Sequence, residues 1–596
     1  MVVAAAVLHG LFLLAEEATQ AKVRGPQSTV EQYNPPIVES DADTGEIDFP
    51  KMIAEPTAND GVELLKELKG LKIEILGTQG TEKISEFLLI QGNSKASEKL
   101  RTELYTKLNE TLTIYQDQPL TLGDLRHIQQ DITDVYKETG FPLMSVVAPP
   151  QEISKGVVKI HVNEFKLQGF VFQFKDNKED AYSADTKHWS NDARIARILN
   201  PLLNQAILSQ KSLDKKVKHL NQNPFRSARV LFEPGQGLGD VLATIQIDEK
   251  RPWGFNLGYN NHATEASGTY RYSLGANIGN LLFEDHQIST NVTVSPDPSE
   301  FVNYSLSYVV PNRFGHTMTA SVNYSDTASS IIPGIGTASR TIQSSLAYNA
   351  PIWSNDFIEW SSSLTASYKQ FERDSLFGGA IVGGSVFDSA QLNLNNRFNI
   401  KEPTASNQFT FGAVYSFEGI TGRNSNENFR EFYNRAQGGA KTMHYTLSYA
   451  RIQQLDILYK NFKGWNTETQ LSFQFSGDDL AGSDQFASGG PGVLRAYDSS
   501  AVSGNDGYYW QQFLHIKPFQ PQALGTWMSW LQQVSVSPFI ESAHTDDAKI
   551  WDYGVQISGS LIQNANISFS MAQAQKAVND TKKGDWQGFV SVNWQY

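Results

Sequence analysis

Apolar and polar residues alternate one by one along most of the second half of the chain. From Pro252 onward, stretches such as "GFNLGYNN", "TYRYSLGANIG", "TMTASVNYSD" and "QFTFGAVYSF" follow one another to "WQGFVSVNWQY", and the helical period vanishes. About sixteen such stretches can be separated, each about ten residues or longer. That length crosses the ~30 Å hydrocarbon layer of a bilayer at a tilt, and an even count suits a single-chain barrel. In "TMHYTLSYA", Met443, Tyr445, Leu447 and Tyr449 share one face. In "FVSVNWQY", Val590, Val592, Trp594 and Tyr596 share one face, and Phe589, Ser591, Asn593 and Gln595 the other. An apolar face toward lipid and a polar face toward a wet lumen reverse the pattern of a soluble barrel. The pattern predicts a β-barrel membrane protein, a 16-stranded antiparallel outer-membrane barrel over residues 252–596. Aromatics at strand ends (Tyr449, Trp510, Phe519, Trp594) suit interfacial girdles, and an aromatic such as Tyr596 is expected at the end of the last strand. The soluble alternative, stacked sandwiches or a solenoid, would confine small polar residues to one outer face and punctuate the strands with more Pro and Gly.

Before the barrel the period changes. In "TLGDLRHIQQDITDVYKETG", Leu122, Leu125, Ile128, Ile132 and Val135 form a helical stripe, with Thr121 placed to cap it and Gly140 to stop it. Two short β-branched segments follow, "PLMSVVAP" and "GVVKIHVNEF". The same order recurs: "DARIARILNPLL" and "SLDKKVKHLNQN" read as helical, "SARVLFEPG" and "VLATIQIDE" as strands. Two α/β modules are therefore predicted, over 70–165 and 166–251, alike in architecture rather than in sequence. Upstream, "GVELLKELKGL" places Val62, Leu64, Leu65 and Leu68 along one face of a short predicted helix at the end of a linker region, 22–69. Within residues 1–21, the apolar run Val2–Ala15 reads either as a secretory signal, without its positive leader, or as an ordinary buried helix.

Composition narrows the function. The net charge of −14 argues against nucleic acid, which needs a basic face. With no cysteine there is no disulfide framework and no thiolate ligand or nucleophile. No apolar run approaches the ~18 residues of a membrane-spanning helix. His127, His161 and His544 have no partner at metal spacing, so no metal or cofactor is expected. "GGAIVGGS" (378–385) lacks the lysine and following helix of a phosphate loop and reads as a flexible surface loop. No pattern of a nucleophile or paired acid and base survives, and the chain is not read as an enzyme.

One stretch stands apart, "GGPGVLRAYDSS", an arginine in a glycine-rich loop between two strands. With its flank, "FSGDDLAGSDQFASGGPGVLRAY", it resembles the sixth extracellular loop of two-partner secretion transporters (the TpsB family), relatives of the barrel-assembly insertases. The family pattern runs roughly E-Q-F-x-x-G-G-x-x-S-V-R-G-Y. It matches Gln485, Phe486, Gly489, Gly490, Leu494, Arg495 and Tyr497, with Asp484 in place of Glu and Ala496 in place of Gly. An alanine at that place restricts the backbone if the family glycine uses a positive φ. "VSVSPFIESA" resembles the Phe-x-Asp wall strand, with Phe539 at the Phe and Glu541 at the Asp. Tyr136, Gly140, Phe141, Pro149, Pro150, Gln151, Val162 and Glu164 match the first periplasmic POTRA domain, and Asn223-Pro224 with Pro234-Gly235 the second.

The resemblance covers nearly the whole chain. It implies an outer-membrane translocator with POTRA domains in the periplasm. The translocator would export one large exoprotein (adhesin, haemolysin or contact-dependent-inhibition toxin), engaged through the POTRA domains. It implies that the loop, about 479–506, folds into the lumen, where Arg495 pairs with Glu541. It implies a plug at rest, either residues 61–69 or Val2–Ala15. The partners expected are the exoprotein, outer-membrane lipid and lipopolysaccharide, around a monomer. A membrane insertase and a passive porin are the alternatives, though a porin needs no POTRA domains.

Overall fold

A computed structural model describes residues 47–48 and 60–596, apart from 154, 177–179, 235–239, 265–266, 313, 333, 356, 522–530, 547 and 562–563. Two compact units arise, one built mainly from residues 38–252 and one from the barrel.

The first unit holds two sheets. In the first, the strand order is Thr81–Lys83, Leu88–Gln91, Gly70–Ile75, Val157–Glu164, Met144–Val147. Helices α1 (Glu98–Leu112) and α2 (Leu122–Glu138) pack on it through Leu104, Leu108, Ile128 and Ile132, all buried. Thr121 begins α2 with a capping box: its hydroxyl accepts from the Asp124 N–H, and the Asp124 carboxylate accepts from the Thr121 N–H. The second sheet runs Ile47–Asp48, Arg226–Pro234, Asp240–Glu249, Lys166–Asp176, Ala181–Ser183. Against it lie α3 (Asp192–Leu199) and α4 (Gln210–Leu220).

The helix expected over "GVELLKELKGL" does not form, which removes residues 61–69 as a plug helix. Instead Glu63–Leu65 pairs antiparallel with Leu120–Thr121, and Leu68 and Leu71 enter the core of the first module. So short a segment cannot nucleate a helix alone. From Gly70 the alternating Leu71, Ile73 and Ile75 are all buried, as a strand requires. The other plug candidate, Val2–Ala15, and the signal reading both lie outside the described residues.

The second unit is a closed antiparallel barrel of sixteen strands. They are β1 (Trp253–Asn260), β2 (Arg271–Gly279), β3 (Gln287–Val294), β4 (Phe301–Pro311), β5 (Thr317–Ile332), β6 (Ile335–Ser354), β7 (Ile358–Phe377) and β8 (Ala380–Glu402). The remaining eight are β9 (Ala405–Phe417), β10 (Thr442–Gln454), β11 (Asn466–Ser476), β12 (Gly507–His515), β13 (Leu531–Thr545), β14 (Lys549–Leu561), β15 (Ala565–Ala574) and β16 (Trp586–Gln595). Each overlaps one alternating stretch of the sequence, and β5 to β8 run several residues beyond theirs.

The two faces divide as the alternation predicts. Phe255, Leu257, Tyr272, Leu274, Tyr304 and Leu306 point outward and are 44–53 % exposed, while Asn291, Thr293, Asn303, Ser305 and Ser307 are buried on the inner side. An apolar belt of this extent is stable only against lipid. No helix among the described residues is long and apolar enough to cross a membrane.

β8, of 23 residues, is the longest strand, and β6 and β7 follow with 20 each. "GGAIVGGS" is the β7–β8 hairpin rather than a surface loop: Gly378 and Gly379, at φ 60° and 84°, make the turn, and Ala380 already belongs to β8. Two consecutive positive φ values suit the tight turn that matches strand twist. β12 ends at His515, short of Phe519, which makes only an isolated bridge to Val534.

Candidate functional site: a loop anchored inside the barrel

The segment between β11 and β12 carries its own small hairpin, Phe486–Ser488 against Val502–Gly504. The Phe486 ring sits where a Cβ on Gly507 would lie, 2.3 Å from that position. Gln485 bonds to Asn505 across the hairpin base at 3.2 Å. Beyond the hairpin the chain turns sharply. Gly489 (φ 129°) has the Asp498 carbonyl 2.2 Å from where a Cβ would sit, and Gly490 (φ 102°) donates its N–H to the Tyr497 carbonyl at 3.0 Å. At Gly489 backbone approaches backbone too closely for any side chain, and both glycines hold a positive φ that other residues rarely adopt.

The tip then meets the inner wall of β12, β13 and β14. Arg495 bonds to Glu541 twice: its guanidinium to Oε1, and its backbone N–H to Oε2 at 3.0 Å. Gln511 of β12 donates to the same Oε1, and also to the Gly492 carbonyl at 3.3 Å. The guanidinium lies 4.7 Å from the Phe539 ring centre and 5.2 Å from that of Phe513. Phe539 in turn covers Gly554, its partner across β13 and β14, which has no side chain to obstruct the ring. Arg495 is 8 % exposed and Glu541 is fully buried. A guanidinium this dry needs a carboxylate, because an unpaired buried charge is far costlier than a paired one.

The next two residues extend the attachment. Ala496 donates its N–H to Asp552 Oδ2 at 2.7 Å. The Tyr497 hydroxyl donates toward the carbonyls of Trp551 and Lys576, at 2.9 and 3.0 Å, and accepts from the Lys576 N–H at 3.1 Å. Leu494, fully buried, is the tip residue with positive φ (59°), and Ala496 is not. A glycine is therefore not required at 496, and the alanine does not distort the tip.

The structure thus brings Leu494, Arg495, Ala496, Tyr497, Phe539 and Glu541 together, with Gln485, Phe486, Gly489 and Gly490 framing the loop that carries them. Sequence reasoning missed Asp552, Gln511 and Phe513. Asp552 stands directly opposite Glu541 in the β13–β14 register, and Gln511 directly opposite it in β12–β13. Each is a polar residue on an alternating strand's inner face, so the signal was present but not its address. Among the described residues no cluster could hold a metal ion, and His161 instead lies 3.1 Å from Glu74.

Comparison with known proteins gives consistent results. Residues 243–540 match the family model described as haemolysin secretion/activation protein ShlB/FhaC/HecB, and residues 100–164 match the POTRA domain, ShlB-type. The chain is 20 % identical over 440 residues to the heme/hemopexin transporter protein HuxB of Haemophilus influenzae (strain 86-028NP), covering 70 % of each chain. It is 20 % identical over 502 residues to the hemolysin transporter protein HpmB of Proteus mirabilis, covering 79 % of this chain and 78 % of the other. In fold it is similar to CdiB from Escherichia coli, with a TM-score of 0.67 at 14 % identity over 93 % of this chain and 94 % of that one.

Proposed function

The chain belongs to the ShlB/FhaC/HecB family of haemolysin secretion/activation proteins, the transporters of two-partner secretion, and from that premise we propose how its loop and modules serve export. The protein is an outer-membrane translocator that carries a large secreted partner protein from the periplasm, where its POTRA domains lie, to the cell surface. The family is one of transporters. Haemolysin, heme/hemopexin and contact-dependent-inhibition transporters all stand among the relatives, and the client belongs to the same class of large exoproteins.

The loop acts as a latch. The observation that carries this reading is the double attachment of Arg495 to Glu541, through side chain and backbone, in a buried lumenal site. Docked there, the loop occupies the lumen, and its release opens a route for an extended chain. Capture begins at a sheet edge. The first module's sheet ends on Met144–Val147, whose outer edge pairs with no strand among the described residues. An extended client segment adds to that edge by β-augmentation. The barrel works as a monomer seated in outer-membrane lipid and lipopolysaccharide. Folding of the client outside makes export one-way without a nucleotide.

The test is co-expression with the partner exoprotein, reading its surface appearance at equal barrel levels. Wild type exports the client, and Arg495→Ala exports little. In a double-mutant cycle with Glu541→Gln, the double variant is no worse than the worse single, because the two residues act as a unit. Additive losses would remove the pair as a latch. Absence of export by wild type would favour an insertase or a porin.

A further inference from the structure

The loop has a second buried charge far from its tip. Asp484, at the loop's entry, has a buried side chain: in the ion pair it makes with Lys369 of β7, the two side chains are 7 % and 8 % exposed. Lys369 Nζ lies 3.4 Å from Asp484 Oδ1, and Gln391 of β8 donates to Oδ2 at 2.5 Å. Gln474 of β11 donates to the Asp484 backbone carbonyl at 2.9 Å. Strands β7 and β8 stand six places round the sixteen-strand ring from β13 and β14, where Arg495 is held. The two attachments are therefore on separate parts of the wall, and the loop is stretched between them.

The surroundings explain why Lys369 points inward. On a barrel wall, a lysine free to reach water would not be held this far from it. Here its ammonium meets a carboxylate that the loop supplies, so loop and wall each neutralise the other's buried charge. Withdrawing the loop without replacement would leave Lys369 without that partner. A neighbouring loop reinforces the same end: Arg435 bonds to the Asp479 carboxylate at 2.9 Å and the Leu480 carbonyl at 2.8 Å.

We propose that Asp484 is a second positioning residue of the loop, tethering its entry to Lys369 and Gln391 independently of the Arg495–Glu541 pair at its tip. The inference builds on the reading of the loop as a latch. It adds that breaking the tip pair alone leaves the loop partly held, so full release requires both tethers to part.

The test uses loop exposure rather than export, so its outcome is separate from the transport reading. The chain has no cysteine. Ser488 lies in the loop hairpin between the two anchors and is 3 % exposed, so Ser488→Cys introduces a single shielded thiol. Its maleimide labelling rate is measured on the full-length protein in lipid vesicles, with heat-modifiable migration checking that each barrel is folded. Asp484→Asn raises labelling by about tenfold or more, and Asp484→Asn with Arg495→Ala raises it well beyond either change alone. Asp484→Glu, which keeps the charge, stays within about threefold of the parent. The exchanged pair Lys369→Glu with Asp484→Lys labels more slowly than either reversal alone. Labelling of Asp484→Asn at the parent rate would overturn the tether, and so would failure of the exchanged pair to slow labelling relative to both single reversals. Export of the client by the same variants is read separately, and its loss or retention bears on the latch rather than on the tether.

Discussion

At the residue scale, the loop's conformation depends on a few positions where only one kind of residue fits. Gly489 and Gly492 stand three residues apart and make opposite demands. A Cβ on Gly489 would lie 2.2 Å from the Asp498 carbonyl, whereas one on Gly492 meets nothing within 4 Å. Gly489→Ala is therefore expected to undock the tip and abolish most export with the barrel still folded, while Gly492→Ala exports within roughly twofold of wild type. Measuring surface client for the pair checks this directly, and equal loss in both would mean that the loop senses glycine for a reason other than space. The tip also accounts for two of the three departures from the family pattern. Ala496 needs no positive φ, and Glu541 reaches both the guanidinium and the backbone N–H of Arg495.

At the scale of elements, the first POTRA domain is organised around one buried carboxylate. Glu164, at the end of its strand, accepts from the Lys95 N–H at 2.7 Å and from the Tyr136 hydroxyl of α2 at 3.1 Å. This ties strand, helix and the approach to α1 together. Burial, followed by the neighbouring Glu164 carboxylate, pushes the Tyr136 phenol well above its ordinary value of 10.0. The protonated, donating form is thereby the favoured one. The folded value is raised, so the stability this proton contributes is fully present below pH ~10 and is lost as pH rises from there through the folded value. Tyr136→Phe is expected to cost about 1–3 kcal/mol, because it leaves a buried carboxylate oxygen without its donor. Hydrogen exchange of the Val157–Glu164 amides in the full-length protein measures both effects. Protection unchanged in the variant and flat to pH 11 would show that Tyr136 contributes only its ring.

At the scale of the whole molecule, the barrel's stability depends on which solvent each face meets. Leu274 lies mid-strand on the outer belt, between Leu257 of β1 and Val292 of β3, and Asn277 lies on the inner face of the same β2. Leu274→Arg is expected to destabilise the barrel in lipid vesicles by about 2–4 kcal/mol, and Asn277→Arg by less. Denaturant unfolding in the bilayer measures the difference. Equal costs would contradict the lipid-facing assignment. Barrel closure has its own weak point: β1 and β16 share five residue pairs, while β7 and β8 share twenty.

Alternation is a local property, and it was enough to read the barrel. Each strand's two faces are legible in ten residues, because lipid and lumen demand opposite chemistry at a period of two. The α2 stripe with its Thr121 cap was legible for the same reason, and the glycine-rich loop announced itself by its residues. Local signals failed where one pattern satisfies two periods: the leucines of 64–71 suit a helix, but pairing with Leu120 and the core of the first module drew Leu64, Leu65 and Leu71 into strands and buried Leu68 between them. They failed again at "GGAIVGGS", where glycines that read as loop form the turn and first rungs of the longest hairpin. What only the tertiary structure decided is which residues meet across the barrel. Arg495 is 46 residues from Glu541, Ala496 is 56 from Asp552, and Lys369 is 115 from Asp484. Those encounters follow from strand register and from where a long loop returns to the wall, and neither is written in any local stretch of the chain.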